Sequence, residues 1–249
     1  METQARLSVV ATPIGNLEDI TLRALRLLKE ADVVACEDTR NTKKLLSHFE
    51  ISTPLVSFHA HSGEKGFSKI VSLLSEGKHV CLVSDAGTPG VSDPGQELVS
   101  VVRERMGSEV VIEAVPGASA LAAAISVAGM RAASFTFYGF LPLKKGRETI
   151  MKEIANSSKA SVFYESPHRI HKSVKLLITF LHAREEEARE ERGKISGRRV
   201  GIFRELTKLH EESFVGSPQE ALGYLESDPN HERGEFVVIV EGASRAKSE

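Results

Sequence analysis

The chain of 249 residues contains no tryptophan and only two cysteines, and aromatic residues make up 6% of it. Cys36 and Cys81 both lie inside apolar runs and form no C-x-x-C pair. Extracellular domains that depend on disulfides are usually small and rich in cysteine. We therefore expect two buried free thiols in a reducing cytosol, rather than a disulfide.

The chain also lacks an excess of charge of either sign. It has 32 Lys+Arg against 34 Asp+Glu, which gives a net charge of -2 at pH 7. Non-specific coating of nucleic acid depends on clustered excess cations that release counterions, so this class of protein is excluded. Any nucleic-acid partner must be bound by local basic patches.

Long apolar runs are missing as well. The longest uncharged stretch, 114–130, contains Pro116, Gly117 and two serines, and it is shorter than the ~20 apolar residues of a membrane span. The apolar run 7–11 is too short for the core of a signal peptide, and an acidic residue precedes it. We therefore expect a cytoplasmic protein with no membrane partner.

What the first half does contain is a regular alternation. Short apolar runs rich in β-branched residues predict five buried strands, at 7–11, 32–36, 54–58, 80–84 and 110–115. Between them, apolar residues recur at helical spacing, as at Leu22, Leu25 and Leu28. A β-α-β-α alternation is typical of a mostly parallel sheet with helices on its faces.

The second half predicts another set of helices and strands. The helices are expected at 119–128, 147–156, 168–180 and 218–225, and the strands at 135–140, 160–164, 199–204 and 235–240. The pair Pro116-Gly117 interrupts the pattern between the halves. We therefore predict an α/β protein with an N-terminal lobe 1–116, a C-terminal lobe 117–243 and a ligand cleft between the two lobes.

Two segments fall outside this pattern. The first is a charged insertion, 182–197, in which residues 182–194 include nine charged side chains. This composition predicts a solvated helical extension or a mobile loop in preference to an interaction arm. The tail 244–249 is predicted to be disordered.

The loops that follow the first five predicted strands are the places to look for a site. Ligands of open α/β sheets bind at the carboxyl ends of the strands, and the loops there are 12–16, 37–40, 59–61, 85–95 and 116–119. Loop 85–95 has three glycines and two prolines, which lets backbone groups approach a ligand closely. It is not a phosphate-binding P-loop, because Gln96 stands where that motif has lysine, and no G-x-G-x-x-G occurs.

Six long motifs carry a family resemblance, in order, between about Leu7 and Val240. They are 12–21 (TPIGNLEDIT), 37–40 (EDTR), 84–95 (SDAGTPGVSDPG), 139–142 (GFLP), 164–169 (YESPHR) and 204–211 (RELTKLHE). On these motifs the chain resembles the ribosomal RNA small subunit methyltransferase I family, part of the tetrapyrrole methylase superfamily.

The resemblance implies two α/β lobes of the class III methyltransferase type, a homodimer, and S-adenosylmethionine bound in the cleft between the lobes. It also implies methyl transfer to the 2′-hydroxyl of a cytidine in the decoding region of small-subunit ribosomal RNA, with that RNA or the small ribosomal subunit as partner. Many members carry a helical extension after the last strand, which we expect this chain to lack. The cofactor-binding residues that it implies are Pro13, Gly15, Ser84, Asp85, Gly87, Pro89, Pro116, Gly117, Ser119 and Ala120.

A base near the acceptor hydroxyl would assist the transfer, since a hydroxyl is a weak nucleophile. Glu37, Asp38 and His59 are candidate catalytic residues, because they follow neighbouring strands. An equally good interpretation is that the two carboxylates bind backbone amides and Arg40. A metal site is not expected, because His59 and His61 alone lack further ligands.

Three basic clusters are candidates for RNA binding. They comprise Arg40, Lys43 and Lys44; Lys144, Lys145 and Arg147; and His168, Arg169, Lys172 and Lys175. Within them we predict Arg40, Lys43, Lys144, Arg147 and Arg169 as substrate-binding residues, and Arg169 is the strongest candidate.

Two other functions remain open at this point. One is methylation of a tetrapyrrole or a protein within the same superfamily, which the motifs at 37–40 and 164–169 argue against. The other is a ribosome-assembly factor without catalytic activity, which the intact loop 85–95 argues against.

Overall fold

A computed structural model of the protein describes residues 4–58, 63–192 and 197–243. The chain divides into two compact units, Met1–Ser119 and Ala120–Glu249. The candidate base His59 and the tail 244–249 lie outside the described residues. The lobe boundary predicted after residue 116 stays a prediction.

Unit 1 is an open parallel sheet covered by helices. Its strands are β1 (Ala5–Val10), β2 (Val33–Cys36), β3 (Leu55–Ser57), β4 (His79–Leu82) and β5 (Val110–Val115), in the order β3-β2-β4-β1-β5. Its helices are α1 (Leu22–Glu30), α2 (Thr39–His48), α3 (Gly63–Ser75) and α4 (Gly95–Met106). All four neighbouring pairs of strands are parallel. The predicted strands and sheet type are therefore confirmed, with small shifts at the ends.

Helices cover both faces of this sheet because successive strand residues point to opposite sides. Leu7 and Leu82 pack with α3 and α4 in one buried cluster. Val10 and Val83 pack with α1 and α2 in another. Both cysteines are buried free thiols, as predicted.

Unit 2 has a mixed sheet. Its elements are α5 (Ala120–Ala128), β6 (Phe135–Phe140), α6 (Arg147–Asn156), β7 (Ala160–Glu165), α7 (Ile170–Arg192), β8 (Val200–Arg204), β9 (Glu212–Gly216), α8 (Pro218–Ser227) and β10 (Phe236–Val240). The strand order is β6-β7-β10-β8-β9, and β6 and β7 are parallel to each other. The prediction missed β9, because its sequence, ESFVG, offers only two apolar side chains.

Three strands of unit 2 end at the same edge. β10 is antiparallel to both β7 and β8, so β7 and β8 run in the same direction as β6. The segments 139–142, 164–169 and 204–211, which carried three of the sequence motifs, therefore lie at one edge of this sheet.

Helix α7 is much longer than predicted. It continues past residue 180 to Arg192, so most of the charged insertion 182–197 is a helical extension. Residues 193–196 of that insertion lie outside the described part of the chain. Among the residues that the structure describes, no helix is both long enough and apolar enough to span a bilayer.

Candidate functional site

The loops after β1 and β4 are joined at the carboxyl edge of the unit 1 sheet. The backbone N–H of Thr12 donates to the carbonyl of Gly87 at 2.9 Å, and the N–H of Gly87 donates back to the carbonyl of Thr12 at 3.1 Å. The buried Ser84 hydroxyl donates to the carbonyl of Gly87 at 3.2 Å. Ser84, a predicted cofactor contact, thus uses its hydroxyl to hold the loop.

Glycine is favoured at Gly87 by its backbone conformation, and the space for a side chain there is tight. Its φ is +82°, a value that side-chain-bearing residues rarely adopt. A Cβ there would lie 3.2 Å from Cγ2 of Ile14. Thr88 then donates its hydroxyl to the carbonyl of Ala118 at 3.0 Å, which ties this loop to the one after β5.

Asp93 fixes the rest of loop 85–95. Its Oδ1 accepts hydrogen bonds from the backbone N–H of Gly90 at 2.8 Å and from that of Gly95 at 2.7 Å. One carboxylate oxygen therefore closes the turn over Pro94 and leads the chain into α4. These hydrogen bonds hold the loop in its turn without a ligand, which lowers the entropy that binding must offset.

The predicted cofactor residues nearly all lie at this edge of unit 1. Pro13 and Gly15 follow β1, Asp85, Gly87 and Pro89 follow β4, and Pro116, Gly117 and Ser119 follow β5, whereas Ala120 begins α5 of unit 2. The Asp85 side chain is exposed, and its Oδ1 accepts the backbone N–H of Asp38 at 3.3 Å. The edge therefore presents one solvent-facing carboxylate beside a rigid glycine-rich loop.

Glu37, the first residue after β2, has a strongly perturbed acidity. Its carboxyl is half-buried, and burial raises its pKa to about 7, with smaller contributions from the negative charges of Asp93 and Asp85. A carboxylate that exchanges its proton near neutral pH is suited to general base catalysis.

Asp38 has a different role from its neighbour. Its Oδ1 accepts the backbone N–H of Arg40 at 2.8 Å and so caps the start of α2, and its Oδ2 pairs with Nη2 of Arg40 at 2.8 Å. These bonds lower the pKa of Asp38 to about 2. The alternative interpretation of this pair as a structural one therefore fits Asp38, while Glu37 remains the candidate base. Lys43 lies exposed on the same helix.

A buried ionic cluster lies at the edge of unit 2 described above. Glu165, at the end of β7, is inaccessible to solvent. Its Oε2 pairs with Nη2 of Arg147 at 2.7 Å, and its Oε1 pairs with Nη2 of Arg169 at 2.7 Å. The hydroxyl of Ser173 donates to Oε2 at 2.6 Å. We call these four residues the Glu165 cluster.

The Glu165 cluster gives Arg147 and Arg169 a structural role, while their predicted contacts with RNA stay a prediction. The side chains of Arg147 and Arg169, predicted to contact phosphate, are only 12% and 18% exposed. A buried carboxylate needs opposite charge close by, and these two guanidinium groups supply it. Both also donate to the segment after β6: Arg147 to the carbonyl of Pro142 at 3.2 Å, and Arg169 to that of Leu141 at 3.0 Å. Lys144 is exposed, so it keeps its predicted position on the surface.

Comparison with known proteins establishes the family. A model of the tetrapyrrole (corrin/porphyrin) methylases matches residues 6–222. Ribosomal RNA small subunit methyltransferase I of Halalkalibacterium halodurans is 43% identical over 97% of this chain and 77% of its own length. The same-named protein of Thermotoga maritima is 40% identical over 95% of this chain and 98% of its own length. The chain belongs to the ribosomal RNA small subunit methyltransferase I family.

Solved structures agree with this assignment at the level of the fold. A cobalt precorrin-4 methyltransferase matches with a TM-score of 0.66 at 17% identity, covering 97% of this chain and 96% of its own. Uroporphyrin-III C-methyltransferase of Thermus thermophilus, complexed with S-adenosylhomocysteine, matches with a TM-score of 0.59 at 20% identity, covering 95% and 97%. The predicted fold class, two α/β lobes of the tetrapyrrole methylase type, is thus confirmed for this member of the methyltransferase I family.

Two residues of this methyltransferase I family member were missed by the sequence analysis. Asp93 precedes Pro94-Gly95, a composition typical of turns closed by an aspartate side chain, and this signal was available. Glu165 lies four residues before Arg169, a spacing typical of ion pairs on helices. Neither residue lies on a helix, however, because β7 ends at Glu165 and α7 begins after Arg169, so the sequence offered no valid signal for this pair. Among the described residues, no group of three or more His, Cys, Asp or Glu side chains could hold a metal ion.

Proposed function

We propose that this chain transfers a methyl group from S-adenosylmethionine to the 2′-hydroxyl of a cytidine in small-subunit ribosomal RNA. The proposal is supported by relatives about 40% identical over most of the chain, which are named as methyltransferases of that RNA. The structural observation that carries it is that Glu37, whose pKa is about 7, lies at the same sheet edge as the rigid loop 85–95.

The residues at this edge fit the cofactor. S-adenosylmethionine carries a sulfonium, an ammonium and a carboxylate, and when bound it supplies an electrophilic methyl group. The exposed carboxylate of Asp85 and the carbonyls of the loop suit the two cations. A Cβ at Gly117 would lie 3.0 Å from that of Ala11, so glycine there lets the loop after β5 pack closely against the end of β1 beside the proposed pocket. Pro13, Gly15, Pro89, Pro116, Ser119 and Ala120 complete the proposed pocket.

Glu37 is the proposed general base. A 2′-hydroxyl must lose its proton as its oxygen attacks the methyl carbon, and a carboxylate with a pKa near the working pH accepts that proton efficiently. Asp38 does not serve, because its pKa of about 2 makes it a weak base and its oxygens already bind Arg40. Holding the two substrates in line supplies much of the remaining acceleration.

The RNA is held by local cations rather than by net charge. Arg40 and Lys43 on α2, and Lys144 after β6, are exposed and contribute phosphate contacts. Arg147 and Arg169 contribute by fixing the segment beside Lys144. We propose that a homodimer brings the patches of two chains together on one RNA.

The test is methylation of defined substrates by the purified protein with isotopically labelled S-adenosylmethionine. Small subunits, naked small-subunit RNA and large-subunit RNA are compared, and the labelled RNA is digested and analysed by mass spectrometry. We expect label only in small-subunit substrates, in 2′-O-methylcytidine. Label on a base, or in large-subunit RNA, contradicts the proposed specificity.

Two further arms of the same experiment address the alternative functions. A tetrapyrrole and a protein extract are offered as acceptors, and transfer to either in place of RNA replaces the proposal with a related methyltransferase. If protein shown by calorimetry to bind the cofactor transfers no methyl group to any acceptor, the chain is a binding factor and the proposal fails.

A further inference from the structure

The end of β6 exposes two large apolar side chains on a basic segment. Phe140 is 55% exposed and Leu143 is 78% exposed. The register between β6 and β7 shifts between Phe137 and Phe140, and Gly139 has a φ of +62°. An extra residue in one strand of a pair bends that strand and turns its side chains in a new direction. The sequence therefore places Phe140 outward by means of a local bulge.

The ring of Phe140 is supported by other aromatic rings. It packs edge-to-face on Tyr164, with ring centroids 5.5 Å apart and an interplanar angle of 64°. Tyr164 packs in the same manner on Phe137, at 5.0 Å and 71°. We call these three residues the aromatic row. Because the row is packed internally, the exposed ring has a fixed orientation before it meets any ligand.

The segment that follows Phe140 is held firmly. The side chain of Leu141 is buried, and the carbonyls of Leu141 and Pro142 accept hydrogen bonds from Arg169 and Arg147 of the Glu165 cluster. Phe140 and Leu143 are therefore exposed on an ordered segment, whose backbone is bound by the two arginines that pair with the buried Glu165.

The exposed charges on the segment that follows Phe140 are positive. Residues 139–147 contain three cations and no acid, and one of the three, Arg147, is largely buried against Glu165. Lys144 and Lys145 are exposed, and so is His168 after β7. Such a surface is complementary to an anionic ligand. It disfavours self-association through this face, where like charges of two copies would be brought together.

We propose that Phe140 is a stacking platform for an unpaired base of an RNA strand whose phosphates lie beside Lys144 and Lys145. Sequence-tolerant binding of single-stranded RNA combines exposed aromatic rings with adjacent cations, and both are present here on a rigid backbone. The inference rests on the proposed function and deepens it, since it locates substrate binding on unit 2 and assigns it to single-stranded RNA.

The first test measures the affinity of the full chain for a short fluorescent single-stranded RNA by anisotropy. Loss of one stacked base predicts about 5- to 150-fold weaker binding for Phe140→Ala. Phe140→Leu keeps an apolar side chain but has no π-face, so its RNA affinity is also expected to fall. Phe140→Trp keeps an aromatic ring and is expected to retain the affinity. Phe135→Ala removes another exposed aromatic residue at the opposite end of the same strand and leaves the affinity unchanged.

The second test concerns the lysines. Removing one phosphate contact to a single strand reduces the slope of log affinity against log salt by about 0.7. We expect this reduction in Lys144→Ala and in Lys145→Ala. Lys159→Ala removes an exposed lysine beside the amino end of β7 and keeps the wild-type slope.

The outcomes separate this inference from the proposed function. Wild-type RNA affinity in Phe140→Ala overturns the inference, and so does full affinity in Phe140→Leu, since stacking would then be unnecessary. A changed sedimentation coefficient in Phe140→Ala with unchanged RNA affinity assigns the surface to a second copy of the chain and also overturns it. If RNA binds in a Phe140-dependent manner but no methyl group is transferred, the inference stands and the proposed function fails. Cofactor affinity, measured on each variant, checks that unit 1 is intact.

Discussion

Thr12 and Gly87 exchange two backbone hydrogen bonds although they lie in different loops, one after β1 and the other after β4. β1 and β4 are adjacent parallel strands, whereas this bridge is antiparallel, so it joins the two loops to each other beyond the point where regular strand pairing ends. The bridge joins the two loops into one surface at the edge where we propose that the cofactor binds.

Gly87→Ala tests the role of these joined loops in cofactor binding. The substitution forces an alanine into a positive φ, which costs about 1–2 kcal/mol, and it places a Cβ 3.2 Å from Ile14. We expect a lower free energy of unfolding in urea and weaker cofactor binding by calorimetry. Gly107→Ala is the matched control, because Gly107 also has a positive φ but no atom within 4 Å of its added Cβ. Equal losses of cofactor affinity in both variants would show that Gly87 has no special role in cofactor binding.

Glu37→Gln tests the proposed base. In the wild type, kcat/KM should rise as pH increases through about 7, because the carboxylate form is the one that accepts the proton. The variant should lose this rise and about 10²- to 10⁴-fold of the rate. The measurement is the rate of methyl transfer across pH with saturating cofactor. Asp38→Asn keeps the capping oxygen of α2 and should keep both the rate and its pH profile. A pH-independent wild-type rate would contradict the assignment.

Asp93→Asn tests the electrostatic part of the same argument. Asparagine retains an oxygen that can accept the N–H groups of Gly90 and Gly95, but it removes a negative charge that raises the pKa of Glu37. The midpoint of the pH–rate profile should therefore move to lower pH. A midpoint that moves upward, or stays in place while the loop remains intact, would show that Asp93 does not influence Glu37.

The same carboxyl group makes stability depend on pH. The pKa of Glu37 is higher in the folded chain, about 7, than its ordinary value of 4.5, so the folded state binds the proton more tightly. Its contribution to stability is full below about pH 4.5 and is lost as pH rises through about 7. Glu37→Gln should remove this decline, which urea unfolding at several pH values will show. A wild-type decline that persists in the variant would have to come from other groups.

Glu165→Gln should be strongly destabilising. It leaves two largely buried guanidinium groups without their carboxylate, and breaking such a buried pair costs about 3–5 kcal/mol. Glu30→Gln breaks the exposed pair between Arg26 and Glu30 and should cost only about 0–1 kcal/mol. Urea unfolding measures both. A loss in Glu165→Gln no larger than that in Glu30→Gln would show that the Glu165 cluster contributes little.

The fold was largely predictable because its signals are local. Each strand of unit 1 is a short apolar run, and the ends of β6 and α6 were predicted as the structure has them. The partners of buried charges were not predictable in this way. Nothing in the order of residues shows that Glu165 comes to lie against Arg147, which belongs to the preceding helix. Arg147 and Arg169 were therefore predicted as surface cations, and only the tertiary structure shows where their guanidinium groups point.

The strand order of unit 1 has a consequence for synthesis on the ribosome. β1 is synthesised before the other strands of unit 1, yet its neighbours in the sheet are β4 and β5, so Leu7 pairs with Val80 and Ile112. Such long-range pairing folds slowly, because a long stretch of chain must be ordered before the pairing forms. The apolar strand β1 therefore lacks its partner strands until most of unit 1 has been translated. The Thr12–Gly87 bridge, which needs β1 and β4 in register, can form only after that delay.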